Sequence, residues 1–277
     1  QKIYAAKGRP SDNPLIVHIT NMEDLLKITK NVSKEAFKVA EEYWPGPLTM
    51  IFEKNEKVPY GTTGGLNTVA VRMPSHEIAR AVIDAGGGYI AAPSANTSGR
   101  PSPTAAEHVK EDMDGRIDMI VDGGDVEIGV ESTILDMTVT PPMILRPGAV
   151  TKEMLEDLIG EVAEDVALID PDSKKKPKAP GMKYRHYAPK AELLIVEGKM
   201  DQVIETINRM AKEQICKGYK VGIIGTEESV ASYKEGDVKS IGTREDESTI
   251  AVHLYGILRE FDQDEVDYIY SESFATG

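Results

Sequence analysis

Short apolar runs, separated by polar stretches rich in glycine and proline, recur through the first half of the chain. Runs of this length, rich in β-branched residues and bounded by turn residues, are typical of strands. The predicted strands are LIVHI (15–19), the apolar end of WPGPLTMIF (44–52), VAVR (69–72), the end of GGGYIAA (86–92), IDMIV (117–121), GVESTILDMT (129–138) and MILR (143–146).

Capping residues stand before stretches with helical apolar spacing. The predicted helices are an opening one closed by Gly8, one capped by Thr20 and Glu23 through Leu26, one begun by Ser33, TAAEHVKEDM (104–113) with Thr104 and Glu107 as a capping box, and one from Thr151 to Gly160. The apolar side of the Ser33 helix is expected to consist of Ala36, Phe37, Val39, Ala40 and Tyr43. Strands and helices are therefore mixed, with polar residues concentrated at strand ends, which predicts an α/β domain with a concave site.

From Ala191 the pattern becomes a regular alternation of strands and helices. The strands are ELLIVEG, KVGIIG, VKSI and VDYIYS, and the helices are MDQVIETINRMAKEQICKG and STIAVHLYGILREFD. Such alternation predicts a small parallel, Rossmann-like sheet. The glycines of VGIIGTEES lack the GxGxxG spacing of a dinucleotide site, so we assign no dinucleotide to this domain.

Residues 170–190 have the composition of a linker, with four prolines, a basic run and no periodicity. We therefore divide the chain into a first domain (1–172), a linker (173–189) and a second domain (190–277). Within the linker, GMKYRHYAP combines aromatic and basic side chains. These could cover a nucleotide base and its phosphates, or they could simply attach the linker to the surface.

Composition narrows the classes of function. The formal net charge of −14 argues against non-specific nucleic-acid binding by the whole chain. One cysteine excludes an intrachain disulfide and suits a reducing compartment, so we expect a cytoplasmic protein. The five histidines have no metal-like spacing, and no apolar run is long enough to span a bilayer.

Candidate chemistry centres on residues 92–104, APSANTSGRPSPT, a stiff polar loop between a strand end and a helix start. Anions often bind at such places because free N–H groups gather there, although a plain connection is equally compatible with this loop alone.

Lys7 and Arg9 flank a glycine and could hold phosphate oxygens or form a solvated helix end. Arg72 ends a strand and needs a partner, which is either an acidic side chain or a ligand anion. Arg146 repeats that pattern before Pro-Gly.

Seven segments in order identify a resemblance: KGRPSDNPLIVHI, PGPLT, VAVRMPSH, APSANTSGRPSPT, VESTILD, LRPGA and APGMKYRHYAP. Together they resemble the threonylcarbamoyl-AMP synthases in their two-domain form, and the resemblance covers nearly all of the chain. It implies a YrdC-like twisted mixed sheet with a large concave cleft, followed by a smaller Rossmann-like α/β domain. It also implies a stretch before KIYAAKGRP and a helix after IYSESF, so we expect this chain to be a shortened form.

The implied reaction joins L-threonine, bicarbonate and ATP into threonylcarbamoyl-adenylate and pyrophosphate, with Mg²⁺ accompanying ATP. The product would pass to the machinery that transfers threonylcarbamoyl to tRNA. The residues implied by the resemblance are Lys7 and Arg9 for catalysis, Arg9, Asn13, Thr68, Ser94, Ser102, Arg146 and Tyr187 for ATP, and His18, Arg72, the Ala92 backbone and Ser132 for threonine. No residue is assigned to a metal.

Two other functions were weighed. An RNA-binding module without catalysis would use a basic concave face, but the charge of −14 and the confinement of cations to motifs disfavour it. A serine hydrolase built on Ser94 would need a GxSxG elbow, which the chain lacks.

Overall fold

The computed structural model describes residues 2–165 and 187–274, which form two compact units. Of these residues, the first unit holds 2–98, 113–123 and 131–165, and the second holds 99–112, 124–130 and 187–274. The predicted boundary at residue 172 and residues 173–186 of the predicted linker lie outside the described residues. None of the described helices is long and apolar enough to cross a membrane.

The regular elements alternate along the chain. In order they are α1 (Lys2–Lys7), β1 (Ile16–His18), α2 (Met22–Ile28), α3 (Lys34–Tyr43), β2 (Leu48–Glu53), β3 (Thr68–Arg72), α4 (Glu77–Ala85), β4 (Ile90–Ala92), α5 (Ala106–Met113), β5 (Thr133–Asp136), β6 (Met143–Arg146), α6 (Lys152–Ile159), β7 (Ala163–Glu164), β8 (Glu192–Val196), α7 (Met200–Cys216), β9 (Val221–Gly225), a short 3₁₀ helix (Val230–Ser232), β10 (Asp237–Ser240), α8 (Glu247–Gln263) and β11 (Tyr268–Glu272).

The first unit is built on a mixed sheet with strand order β4-β1-β3-β2-β5-β6-β7. The pairs β1–β3, β2–β5 and β6–β7 are parallel, and β1–β4, β2–β3 and β5–β6 are antiparallel. The predicted mixed α/β class is therefore confirmed.

The two faces of this sheet differ because side chains alternate along each strand. One face packs on α2, α3 and α6 and forms the main core, with residues such as Val71, Met50 and Leu155 fully buried. The other face carries a much smaller apolar cluster. A large core on one face leaves the opposite face available for polar residues.

The second unit contains a four-stranded sheet of order β10-β9-β11-β8 in which every pair is parallel. Consecutive residues of β9 serve opposite faces, since Ile223 packs in the cluster with α7 and Ile224 in the cluster with α8. The helices therefore cover both faces, as the alternating sequence pattern predicts.

The caps at Ser33 and Thr151 are confirmed, but two helix predictions need correction. Asn21, not Thr20, caps α2, because its Oδ1 accepts from Asp24 N at 2.9 Å. α5 begins at Ala106, and Thr104 N donates to His108 Nδ1 at 3.2 Å, so the predicted capping box is replaced by a histidine ring.

Two apolar predictions were also wrong. Phe37 points away from the core and is 42% exposed. The run 117–121 forms no strand, and its Met119 and Val121 are 77% and 60% exposed. The segment pairs with no described strand, so its apolar composition alone does not make it one.

A buried hydroxyl joins β5 to the segment after β6. Thr133 Oγ1 donates to Val150 O at 2.7 Å and accepts from Val150 N at 3.1 Å, in a fully buried position. Thr133→Val keeps the shape of the side chain but leaves the buried N–H and C=O of Val150 without their hydrogen-bond partner. We therefore expect the free energy of unfolding to fall by about 2–4 kcal/mol. Urea denaturation measures this.

The exposed Thr140 supplies a matched control, and Thr140→Val should change the free energy of unfolding by less than about 0.5 kcal/mol. Equal stability of the two variants would contradict the role given to the Thr133 hydroxyl.

Candidate functional site

Three polar residues lie in one row across the first sheet. Arg72 at the end of β3 is paired with His18 on β1 and with Thr49 on β2. Residues directly opposite each other on neighbouring strands project to the same face. This face also holds the small apolar cluster of Ile16, Ile51, Ala70, Ile134 and Leu145. The row therefore forms a polar edge beside an apolar floor.

Ser132 and Arg146 extend this row through hydrogen bonds. The hydroxyls of Thr49 and Ser132 lie 2.7 Å apart. Arg146 donates to Ser132 O through Nε at 3.0 Å and Nη2 at 2.8 Å, and to Ser132 Oγ through Nη2 at 3.1 Å. A Cβ on Gly148 would lie 2.5 Å from Glu131 O, so only glycine lets the Arg-Pro-Gly turn pack against this backbone.

Arg72 has a backbone partner instead of an acidic one. Its Nε donates to Gly46 O at 3.0 Å. Burial, together with the positive charge of Arg146, lowers the pKa of Arg72. Within residues 2–165 and 187–274 neither arginine forms an ion pair. Of the two partners that the sequence left open, the acidic side chain is absent from the described structure, and the arrangement favours a ligand anion.

His18 is neutral at physiological pH in this environment. Burial, and secondarily the charge of Arg72, lowers its pKa to about 4. Its Nδ1 is buried and has no hydrogen-bond partner among the described residues. A neutral, partly unsatisfied imidazole can bind a polar ligand group without adding a third positive charge.

Lys7 holds the first half of the loop 92–104. It is 4% exposed, and its ammonium donates to Ser94 O, Asn96 O and, at 3.3 Å, Asn96 Oδ1. Ser98 N donates back to Lys7 O at 2.9 Å, and Ser94 Oγ lies 2.5 Å from Asn96 Oδ1. The residue predicted to be catalytic thus also fixes the backbone beside Ser94.

Arg9 and Asn13 lie in the turn between α1 and β1. Arg9 is 9% exposed, and its Nη2 donates to Pro14 O at 3.0 Å. Asn13 is 3% exposed, and its Oδ1 has no hydrogen-bond partner in the described part of the chain. A buried amide with an unmet oxygen is a candidate contact for a ligand donor.

Thr68 and Ala92 lie at other points on the same sheet. Thr68 begins β3, four residues from Arg72, so about 13 Å of strand separates them. It lines a cavity of about 640 Å³ together with residues such as Lys54 and Tyr60. Ala92 ends β4, where it is paired with Ile16 two residues before His18.

Ser102 and Tyr187 belong to the second unit. Ser102 is 9% exposed. Tyr187 has a φ of 58°, and its ring lies 5.5 Å from that of Tyr255. Their predicted contacts with ATP, like those of the other site residues, remain predictions.

Thr49, Gly46 and Gly148 are the contributions that the sequence analysis missed. All three stand in segments noted there, PGPLT and LRPGA, but no role was assigned to them. Each acts on a neighbour: Gly46 accepts from Arg72, Thr49 bonds Ser132, and Gly148 packs on the strand before it. In the sequence, these three residues could have been found from the Pro-Gly pairs that stand directly before or after a strand end.

No group of three or more His, Cys, Asp or Glu residues in the described ranges is arranged to hold a metal ion.

Two family models together match nearly the whole chain. One, described as "Telomere recombination", matches residues 1–148, and the other, described as "Threonylcarbamoyl-AMP synthase, C-terminal domain", matches residues 150–277. The chain is 48% identical to the threonylcarbamoyl-AMP synthase of Pyrococcus abyssi over 98% of its length, covering 78% of that protein. It is 49% identical to the threonylcarbamoyl-AMP synthase of Bacillus subtilis over 99% of its length, again covering 78%.

The fold also matches a solved structure. The crystal structure of P. abyssi Sua5 complexed with L-threonine superposes with a TM-score of 0.93 and 47% sequence identity. The match covers 99% of this chain and 78% of that one.

The environment of His18 predicts a pH dependence of stability. Because its folded pKa of about 4 lies below the ordinary histidine value of 6.5, the unfolded chain takes up a proton first as the pH falls. Stability is therefore intact above pH 6.5 and is lost as the pH falls towards 4. The loss between pH 7 and pH 5 should be about 2 kcal/mol of unfolding free energy, measured by urea denaturation.

His18→Asn should remove this part of the pH dependence, while His253→Asn, at an exposed histidine, should retain it. A pH profile of His18→Asn that parallels the parent protein would refute the assignment.

Proposed function

The chain belongs to the threonylcarbamoyl-AMP synthase family in its two-domain form, and on that premise we propose how its residues perform the reaction. It is a nucleotidyltransferase-type enzyme of tRNA modification. We propose that L-threonine, bicarbonate and ATP are its substrates and that threonylcarbamoyl-adenylate and pyrophosphate are its products. The observation that carries this proposal is the row of His18, Arg72 and Thr49, extended by Ser132 and Arg146, in a fold that a relative uses to bind L-threonine.

Threonine would bind along this row. The carboxylate would pair with Arg72, whose guanidinium has a backbone partner but no acidic one among the described residues. The neutral His18 and the Ser132 hydroxyl would accept or donate hydrogen bonds to the polar groups of the amino acid, with the Ala92 backbone beside them. Desolvation makes such a charged contact stronger than it would be in water.

ATP would use the remaining predicted contacts, which are Arg9, Asn13, Thr68, Ser94, Ser102, Arg146 and Tyr187. Asn13 supports this through its buried, unsatisfied oxygen, and Arg146 through its guanidinium, which has no acidic partner in the described chain. Lys7 and Arg9 are proposed to stabilise charge on the phosphates. Mg²⁺ would be bound by the phosphate oxygens and water.

The chemistry requires no covalent enzyme intermediate. The threonine amine takes up carbon dioxide derived from bicarbonate and becomes a carbamate. A carbamate oxygen then attacks the α-phosphorus of ATP, forming an O–P bond while the bond to pyrophosphate breaks. The side chains contribute alignment and charge stabilisation, which are the main sources of catalysis in phosphoryl-type transfers.

The carbamoyl-adenylate is a mixed anhydride that reacts readily with water, so it must be consumed soon after release. We propose that it passes to the machinery that transfers threonylcarbamoyl to tRNA, in the cytoplasm. The low cysteine content is consistent with that compartment.

A direct test measures pyrophosphate release from ATP while threonine and bicarbonate are omitted in turn. Release should require both. Release that continues without threonine would indicate simple ATP hydrolysis and would reject the proposal.

Arg72→Ala should weaken threonine binding far more than ATP binding, because the threonine carboxylate loses its charged partner. The expected cost is about 2–5 kcal/mol of threonine-binding free energy, measured by calorimetry. Lys152→Ala, which removes an exposed ion pair with Glu164 in the same unit, is the matched control and should leave both affinities unchanged. Equal losses for threonine and ATP in Arg72→Ala would show that Arg72 does not face the amino acid.

Thr49→Val should raise the KM for threonine about 5- to 10-fold, because Ser132 Oγ loses the hydroxyl that orients it. The KM for ATP should not change. Thr49→Ser keeps the hydroxyl and should restore most of the threonine affinity, whereas failure of this rescue would make the effect one of packing.

A further inference from the structure

The segment that carries Ser102 is built into the second unit, although it follows directly on the first. Gly99 O accepts from Ala188 N at 3.2 Å, and Thr104 O accepts from Val126 N at 3.0 Å. Residues 99–104 are therefore held by backbone hydrogen bonds to other parts of the second unit. Their geometry depends on this unit, and the predicted ATP contact Ser102 lies in the middle of them.

Arg259 provides a further and stronger attachment. It lies on α8, and its side chain is fully buried. Its guanidinium faces Asp112 as a fork, with Nη2 3.0 Å from Oδ2 and Nη1 3.3 Å from Oδ1. The same Nη2 donates to Pro101 O at 2.6 Å. One guanidinium thus bridges a fully buried carboxylate and the backbone of the loop.

Arg259 belongs to a wider network of charged side chains. Arg100 donates to the same Oδ1 of Asp112 and to Glu111 Oε1 at 3.0 Å, and it lies 3.9 Å from Asp262 Oδ2. The side chains of Asp112 and Asp262 are 0% and 1% exposed. Asp112 is therefore shared by two arginines, Asp262 lies beside Arg100, and Glu111 at the edge adds a third acidic group that also contacts Arg259 at 3.4 Å.

Such a network contributes little net stability, since removing each charge from water largely offsets the attraction between them. Its best-attested use is to specify one arrangement among several. The arrangement specified here includes the orientation of the Pro101 carbonyl. Because the peptide bond is planar, fixing that oxygen also fixes the direction of the Ser102 N–H and the position of its Cα. Pro101 and Pro103 restrict φ on both sides.

We propose that Arg259 is a positioning residue for ATP, acting through the Pro101–Ser102 peptide. The inference rests on the proposed function and on the predicted contact of Ser102 with the nucleotide. The second domain then takes part in the reaction by setting the geometry of a substrate loop.

The test compares three variants of the full chain with the parent protein: a double variant, a conservative single variant and a control. Arg259→Met alone is not used, because it leaves Asp112 without one of its arginine partners and loss of folding would hide the effect. Arg259→Met combined with Asp112→Leu replaces this buried pair by apolar side chains, which maintains stability in comparable cases, and Arg100 keeps Glu111 and Asp262 as acidic neighbours. Arg259→Lys keeps the charge but cannot form the fork and reach Pro101 O together. Arg209→Met, which breaks an exposed pair with Glu213 on α7, is the control.

Thermal unfolding first establishes that each variant is folded. Calorimetry then gives the Kd of ATP and of threonine, and pyrophosphate release gives KM and kcat. In the double variant we expect at least a tenfold rise in the Kd and KM of ATP, with the threonine Kd within twofold of the parent. Arg259→Lys should be intermediate, and Arg209→Met should equal the parent.

A folded double variant with parental ATP affinity would overturn the proposal. So would equal losses for ATP and threonine, because a general structural role predicts no preference between ligands. If the double variant does not fold, Arg259→Lys is judged by the same comparison of ATP with threonine. Failure of the proposed function would be distinct, since the parent protein itself would then release no pyrophosphate in response to threonine.

Discussion

The constraint on which the first unit depends is the burial of Arg72 near the positive charge of Arg146, since neither arginine has a carboxylate partner within the described residues. Strand pairing places Arg72 at a fixed position at the end of β3, and hydrogen bonds to Ser132 fix Arg146. Positive charge held in this way disfavours the ligand-free fold and becomes favourable when an anion binds. The large core on the opposite face of the sheet compensates for this cost, because its burial is independent of the ligand.

In the second unit, by contrast, the buried charges are paired with one another. Arg259 is surrounded by acceptors, and Asp112 is shared between two guanidinium groups. Such a charge network directs most of its donors and acceptors at its own members, and it allows few alternative arrangements of the groups that it connects. Arg72 and Arg146, which have no acidic partner among the described residues, are suited to binding an anion. Arg259, which is paired with Asp112, is suited to positioning the loop. The number of carboxylates nearby distinguishes these two roles.

Local signals were sufficient to predict much of the fold. The caps at Ser33 and Thr151, the strands ending at Arg72 and Arg146, and the alternating elements after Ala191 all depend on short-range patterns, and the structure contains them.

Errors arose where a distant partner decides the outcome. The run 117–121 has strand composition but pairs with no described strand, and the ring of His108 replaces a side-chain cap that composition favoured. Arg259 stands in an ordinary amphipathic helix pattern, so nothing local distinguishes it from a surface arginine. For the site, the sequence identified strand-end arginines, whereas the link from Thr49 to Ser132 depends on which strands become neighbours.

The loop 92–104 shows why composition alone could not explain its stiffness. Its prolines restrict φ, but they do not decide which way each carbonyl points. Within the first unit, the buried ammonium of Lys7 gathers the carbonyls of Ser94 and Asn96. Within the second unit, the buried guanidinium of Arg259 holds the carbonyl of Pro101. In each case a buried cation orients carbonyl oxygens, and the planarity of the peptide then fixes the N–H groups that follow. The direction of the donors in each part of the loop therefore depends on one of these cations, and the two cations lie 89 and 158 positions in sequence from the residues that they hold.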